Sequence, residues 1–237
     1  MPDTRHHRGA HPADAQLFSE SELPALRAAV EEFSWLLSRG YAHLSGLKLV
    51  GDRHALNARQ RMALSRAACS DQACESRQNK CLPLDALAGQ TIIIDGFNLM
   101  ITLEAAFSGG LLLRCRDGCI RDLASVHGSY RAVAETEQAL EFIGMQLHAI
   151  QTERVIWLFD QPVSNSGRMA QRIRELASMR SWNWEADTRF NPDAAIAQSP
   201  HIAITSDSSI LDNVAQWCNV LAAWLALLHS AWLVDLM

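Results

Sequence analysis

The sequence predicts an α/β protein in which a helical N-terminal domain precedes a domain with a mostly parallel central sheet. Beyond residue 90, short apolar runs alternate with segments of helical periodicity, the arrangement that βα units produce. Three of those runs, TIIID, RVIWLFD and HIAITSD, stop on an aspartate: Asp95, Asp160 and Asp207. Before residue 85 only helical spacing is found.

The chain of 237 residues is long enough for one large domain or two modest ones, and 49% hydrophobic with 20% charged residues is the balance of a folded globular protein. A formal net charge of -5 is too mild to select a partner by itself. The first residues, MPDTRHHRGAHPADAQ, contain no apolar stretch of the secretory kind, so a cytoplasmic location is expected. The most apolar segment, Val220 to Met237, is interrupted by His229 and Asp235, and no membrane association is expected. The six cysteines, Cys69, Cys74, Cys81, Cys115, Cys119 and Cys218, fit no paired CxxC pattern and are expected to be thiols. A zinc site from Cys69, Cys74 and Cys81 is disfavoured by its spacing.

The helical domain is expected over residues 15–85. Leu23, Leu26, Val30, Phe33 and Leu37 recur at steps of three and four between Ser21 and Arg39, and Gly40 supplies the stop. A second helix is predicted from Asn57, with Gln60 completing a capping box and Met62, Leu64 and Ala67 facing inward. Between residues 48 and 80, Lys48, Arg53, Arg59, Arg61, Arg66, Arg77 and Lys80 outnumber Asp52, Asp71 and Glu75. This local excess suits phosphate contact, although solvated helix faces look the same. Pro83 to Gln90 reads as a linker.

The α/β domain is expected over residues 90–225. Strand Thr91 to Ile94 leads through a glycine-rich turn at Ser108 to Gly110 into Leu111 to Leu113 and then the polar segment Arg114 to Arg131. Val133, Leu140, Ile143, Leu147 and Ile150 mark a helix before strand Arg154 to Phe159. A helix through Met169, Ile173 and Leu176, a strand near Trp182 to Ala186, the strand HIAIT and a helix from Ser208 through Trp217 complete the series. Right-handed crossovers then place every strand C-terminus on one edge.

That placement gives the aspartates their significance. Asp95, Asp160 and Asp207 are remote in sequence, yet a parallel sheet brings all three to one rim, where clustered carboxylates repel and a hard cation such as Mg²⁺ or Mn²⁺ relieves the repulsion. Such a cation can activate water and polarise a phosphoryl oxygen. An Asp after a strand is equally a helix N-cap or a turn residue, and Asp207 before SSIL fits a cap well. Asn98 can orient a phosphate or a bound water, or hold backbone. In the segment SNSGR, Ser164, Asn165 and Arg168 can receive an anion at a helix start, and capping by Asn165 or Ser166 explains the same residues.

The succession IIIDGFNL, VIWLFD and AITSDSSILD resembles the PIN-like nuclease superfamily, including its NYN branch, over about residues 90–225. The whole chain also resembles an uncharacterised prokaryotic family that joins a small helical domain of unknown function to a PIN-like one. The resemblance implies a Rossmann-like, PIN-type sheet and metal-dependent hydrolysis of RNA, with Asp95 and Asp207 matching the first-strand and later-strand acids. Asp160 would be a third acid and Asp212, one turn along the final helix, a fourth. PIN nucleases also carry a helix-borne acid, for which Glu104 and Asp122 compete, with Glu104 preferred; Asp122 has Arg121 and Arg131 as alternative partners. His127 is a candidate for proton transfer, against a structural role.

Other classes fit less well. A haloacid-dehalogenase phosphatase needs a second Asp two residues after the first, where this chain has Phe97, and no GxGxxG follows the first strand. A non-catalytic RNA-binding or protein-interaction module, in which the acids merely cap helices, is the alternative.

Overall fold

The structure, a computed structural model, describes residues 7–124 and 130–237; His127 lies outside them. The N-terminal part is helical throughout: α1 (Asp14–Leu17), α2 (Leu23–Ser38), α3 (His43–Arg53), α4 (Ala58–Ala67) and α5 (Asp71–Lys80). In α2 the periodic residues Leu26, Val30 and Phe33 are buried, as their shared helical face requires. Gly40 ends the helix at φ 79°, a left-handed conformation in which a Cβ would be strained, while Tyr41 N–H donates to the Leu36 carbonyl. Helix α4 begins with the expected capping box: Asn57 Oδ1 accepts from the Gln60 N–H, and Gln60 Oε1 accepts from the Asn57 N–H.

The segment read as a linker is built into the fold. Its first residues follow β1 (Cys81–Leu82), an edge strand of the central sheet, and a 3₁₀ turn at Leu84–Leu87 buries Leu87 completely. The chain continues as β2 (Thr91–Asp95), α6 (Gly96–Phe107), β3 (Leu111–Arg114), β4 (Ile120–Asp122), α7 (Thr136–Ile150), β5 (Arg154–Asp160), α8 (Ser166–Arg180) and β6 (Trp184–Arg189). It closes with α9 (Pro192–Ala197), β7 (Ile202–Ile204), α10 (Ser208–Asn213), β8 (Trp217–Cys218), α11 (Val220–Trp224) and β9 (Trp232–Asp235).

Six strands form an all-parallel sheet in the order β1-β8-β7-β2-β5-β6. Its faces are both covered, which is why β2 is an unbroken apolar run. Ile92 and Ile94 enter the core beneath α6, α7 and α8, and Ile93 enters the smaller core with Ile196 of α9 and Ile210 of α10. From β2 the chain adds β5 and β6 on one side, then returns to add β7 and β8 on the other. The point of reversal lies between β2 and β7, where open α/β sheets bind ligands.

Two elements depart from the expected pattern. The helix from Ser208 ends at Asn213, because Val214 turns extended (ψ 155°), and Trp217 becomes strand, with its indole N–H donating to the Arg77 carbonyl at 2.8 Å. Strand β3 joins a second sheet, antiparallel to β4 and parallel to β9. The alternation of β3 explains its uninterrupted leucines: Leu111 and Leu113 pack into the helical domain's core and Leu112 into that of the α/β domain. The small sheet is therefore a wall shared by both parts. Among the described residues no helix is long and apolar enough to cross a membrane.

Candidate functional site

The rim at the reversal point is assembled by three strand ends. Asp95 is the last residue of β2 and stands at the N-cap position of α6, but its side chain makes no cap bond; instead Oδ2 accepts from Thr205 Oγ1 at 2.9 Å. Gly96 follows because a Cβ there would overlap the Phe159 ring. Thr205 Oγ1 also accepts from the Asp207 N–H at 3.0 Å, so one hydroxyl links the two strand ends. Asp207 does cap α10, its Oδ1 accepting from the N–H groups of Ser209 (2.7 Å) and Ile210 (3.2 Å). Asp160 closes β5, and its raised pKa comes from partial burial and then from Asp207.

Asp95, Asp160 and Asp207 line one cleft of about 450 Å³ together with Asn98, Asp122 and Asp193. Asp193, in the first turn of α9 after β6, brings a fourth carboxylate. Its pKa is raised by burial and by Asp207 and Asp160. Asp95 responds most strongly: burial, with Asp207, Asp193 and Asp160 adding repulsion, outweighs the Thr205 hydrogen bond and pushes it up to about 7. Phe97, Ile101 and Val163 supply an apolar surface, and Arg66 and Arg121 a basic one.

The Asn98 amide is engaged structurally on its oxygen, which accepts from Ser206 N–H (2.8 Å) and Ser206 Oγ (3.0 Å) and so ties α6 to the loop after β7. A buried ion cluster fixes that loop from behind. Arg121 donates from Nε to the Ser206 carbonyl at 2.8 Å and from Nη2 to Asp117 Oδ2 at 2.7 Å, and Arg77 of α5 donates to the same carboxylate at 2.6 Å. Burial alone would raise Asp117, but Arg121 and Arg77 hold it at about 2.

The cleft excludes several residues that the sequence had placed beside it. Glu104 is fully buried within the fold, accepting from Tyr130 Oη (2.5 Å) and Thr136 Oγ1 (2.6 Å) and pairing with buried Arg8, so it anchors the N-terminal segment and α7 onto α6. Asp212 is half-exposed and accepts from Arg77 Nε at 2.8 Å. Asn165 adopts φ 70° and donates from Nδ2 to the Tyr130 carbonyl, Ser164 is exposed with its carbonyl accepting from Tyr130 N–H, and Arg168 is exposed beside Asn165. Only Val163 of that loop reaches the cleft. Asp122 does line it, and its carboxylate is held by Thr102 Oγ1 (2.7 Å) and Arg66 rather than by Arg121 or Arg131.

Sequence reasoning overlooked Asp193, Thr205 and Ser206. The β6 run WEADTR alternates polar and apolar, as an edge strand does, so its end was placed at Ala186 and Asp193 did not read as a strand-end acid. The usable signal was Asn191 before Pro192, a cap followed by a first-turn proline.

Among the described residues no three Asp, Glu, His or Cys side chains converge closely enough to hold a metal ion by themselves. All six cysteines are free thiols, and burial pushes Cys69 and Cys218 up to about 12 and Cys115 to about 11.

A family model described as a domain of unknown function (DUF5616) matches residues 84–223, and one described as a protein of unknown function (DUF434) matches residues 25–80. An uncharacterized protein of Methanocaldococcus jannaschii is 32% identical over 187 residues, covering 79% of this chain and 89% of the relative. No solved structure matches the chain. The match over more than half of the chain, including five of the six strands of the central sheet, together with that relative, shows that the chain belongs to the DUF5616 family, with a DUF434 segment running through α2–α5 ahead of it.

Proposed function

We propose that the protein is a metal-dependent ribonuclease of the PIN-like kind, hydrolysing RNA phosphodiester bonds in the cleft at the sheet's reversal point. The observation that carries this reading is Asp95: a buried carboxylate with one hydroxyl donor, pushed up to about 7 by burial and by three neighbouring aspartates. A fold retains such an uncompensated group at a stability cost, and perturbed carboxylates in a cleft mark functional sites more often than structural ones. The succession of strand-end acids that resembles PIN-like nucleases supports the same reading.

The donor set fits Mg²⁺ or Mn²⁺ in its chemistry, being composed of hard carboxylate oxygens. Among the described residues it has no ready-made group of three ligands. That suits Mg²⁺ in particular, which commonly takes one or two carboxylates and completes its shell with water and substrate phosphate. Asp95 and Asp207, linked through Thr205, are the residues that would hold it, with Asp160 and Asp193 extending the acidic wall. When bound, the ion would polarise a phosphoryl oxygen and lower the pKa of water. The protein's own part is to fix the carboxylates: Asn98 holds Ser206, Arg121 holds the Ser206 carbonyl, and the Asp207 cap bonds keep that side chain from turning away.

The capping bonds of Asp207 also favour a second reading, a non-catalytic RNA-binding or protein-interaction module with the same fold. Incubating the purified chain with mixed RNA and Mn²⁺, with and without EDTA, beside Asp95→Asn separates the two. Cleavage that EDTA and the substitution both abolish is the expected result. Its absence in every lane, with RNA binding intact, would establish the module instead.

A further inference from the structure

Seven basic residues between 48 and 80 suggested phosphate contact by the helical domain, and the structure sorts them. Lys48 and Arg61 both pair with Asp52 (2.6 and 2.8 Å), and Arg53 pairs with Glu32 at 3.2 Å. Arg59 forks onto buried Asp14, Arg77 is shared by Asp117 and Asp212, and Lys80 donates to the Leu211 carbonyl at 2.7 Å. Arg66, in the last turn of α4, is the one of the seven that lines the acidic cleft.

Its charge is only partly neutralised there. The Asp122 carboxylate it approaches, at 3.3 Å, already accepts from Thr102 Oγ1 and the Ala124 N–H at 2.7 Å each. Its other acceptors are the carbonyls of Asp122 and Ala124. Arg121, the second cation of the cleft, is buried with its side chain 9% exposed and bonded to Asp117, whereas the Arg66 side chain is 30% exposed. Desolvated and hydrogen-bonded through Nε, Nη1 and Nη2, Arg121 is held in place; Arg66 keeps solvent-accessible surface where it lines the cleft.

We infer that Arg66 is the residue through which the helical domain grips a phosphate of single-stranded RNA next to the scissile one at the acidic wall of Asp95 and Asp207. This rests on the nuclease reading for the identity of the ligand, and assigns the DUF434 segment a direct part in the site. A phosphate contact by a guanidinium is charge-assisted, and it leaves a signature in salt dependence that a purely structural arginine does not.

The test is equilibrium binding of a fluorescein-labelled single-stranded RNA oligonucleotide to the full chain carrying Asp95→Asn, with Mn²⁺, over a series of KCl concentrations. Adding Arg66→Ala should weaken binding by about tenfold and reduce the slope of log K against log salt by about 0.7. Arg66→Lys should keep the slope, and Arg53→Ala should change neither quantity. Because Arg66 also braces two carbonyls, Arg66→Gln serves beside the Ala variant: it preserves donors and removes the charge, and should show the same slope loss with an unchanged circular dichroism spectrum. Binding within twofold of the parent and an unaltered slope for the Gln variant would overturn the assignment while leaving the nuclease reading in place. No RNA binding by the parent chain would overturn both.

Discussion

Asp117 and Asp95 are both carboxylates withdrawn from water on either side of one short loop, and their surroundings are opposite. Asp117 is shared by the guanidinium groups of Arg77 and Arg121 and is held at about 2, while Asp95 has the Thr205 hydroxyl, three acidic neighbours and a pKa near 7. The two sites are joined: Arg121 holds the Ser206 carbonyl, and Thr205 holds Asp95. A fully paired cluster thus braces the segment on which an unpaired one depends. The contrast indicates that the chain can supply counter-ions at this depth and, among the described residues, gives Asp95 none, which is the arrangement expected where the compensating charge comes from a ligand.

The largest expected effects come from removing each carboxylate in turn. Asp117→Ala removes the carboxylate shared by two buried guanidinium groups, leaving Arg121 without an ion pair and Arg77 with half-exposed Asp212 alone, and should lower unfolding free energy by about 3–5 kcal/mol in urea denaturation. Asp95→Asn, measured in EDTA at pH 8, should instead raise stability by roughly 1–3 kcal/mol, since each unit of upward shift corresponds to about 1.4 kcal/mol and part of it is screened by the open cleft. A destabilised Asp95→Asn protein with a disordered loop would erase the distinction between the two sites.

The same pair sharpens the comparison through pH. Asp117 has a folded value below its unfolded 3.8, so the stability it contributes is complete above pH 4 and is lost as pH falls toward 2. Asp95 is shifted the other way, from 3.8 to about 7, so its destabilising effect is absent in acid and grows as pH rises from 4 through 7. Chelated wild-type protein should therefore lose stability on both sides of about pH 4–5 as far as these two groups are concerned. Asp95→Asn should flatten the neutral limb and Asp117→Asn the acid limb, as read from melting temperatures across pH 2.5–8. An Asp95→Asn profile parallel to wild type would mean that Asp95 is not the group titrating there.

How much of this was legible beforehand divides along physical lines. Buried strands announce themselves through unbroken apolar runs, so β2, β5 and β7 and the acids after them could be read, and a parallel sheet then fixes their common edge. Capping boxes are local, and that of α4 is readable from Asn57 and Gln60 alone. Edge strands are half polar, so the end of β6 and with it the position of Asp193 are hard to read from sequence. The two-residue strands β1 and β8 carry no periodicity, so sequence alone places Trp217 in a helix and Cys81–Leu82 within the helical domain. Side-chain partners were least accessible. Nothing local distinguishes Glu104, buried against Arg8 and Tyr130 from distant parts of the chain, from an acid facing the cleft. Arg66 and Arg53 look alike on a helix until the neighbouring wall is known.

The smallest expected effect concerns Asp212, which the resemblance grouped with the metal-binding acids. Its carboxylate is half-exposed and bonded to Arg77 Nε, outside the cleft, and Arg77 keeps Asp117 when Asp212 is removed. An exposed partner of an arginine that is already paired contributes about 0–1 kcal/mol. Asp212→Ala should therefore leave stability within that range and leave Mn²⁺-dependent RNA cleavage at the wild-type rate, whereas Asp207→Ala should abolish cleavage. Asp207→Ala also removes the α10 cap, worth roughly 1 kcal/mol, so Asp207→Asn, which retains a capping oxygen, is the cleaner comparison. Loss of cleavage in Asp212→Ala at unchanged stability would mean that α10 rotates its outer acid into the cleft when substrate binds, and the acidic wall would then have to be redrawn around that helix.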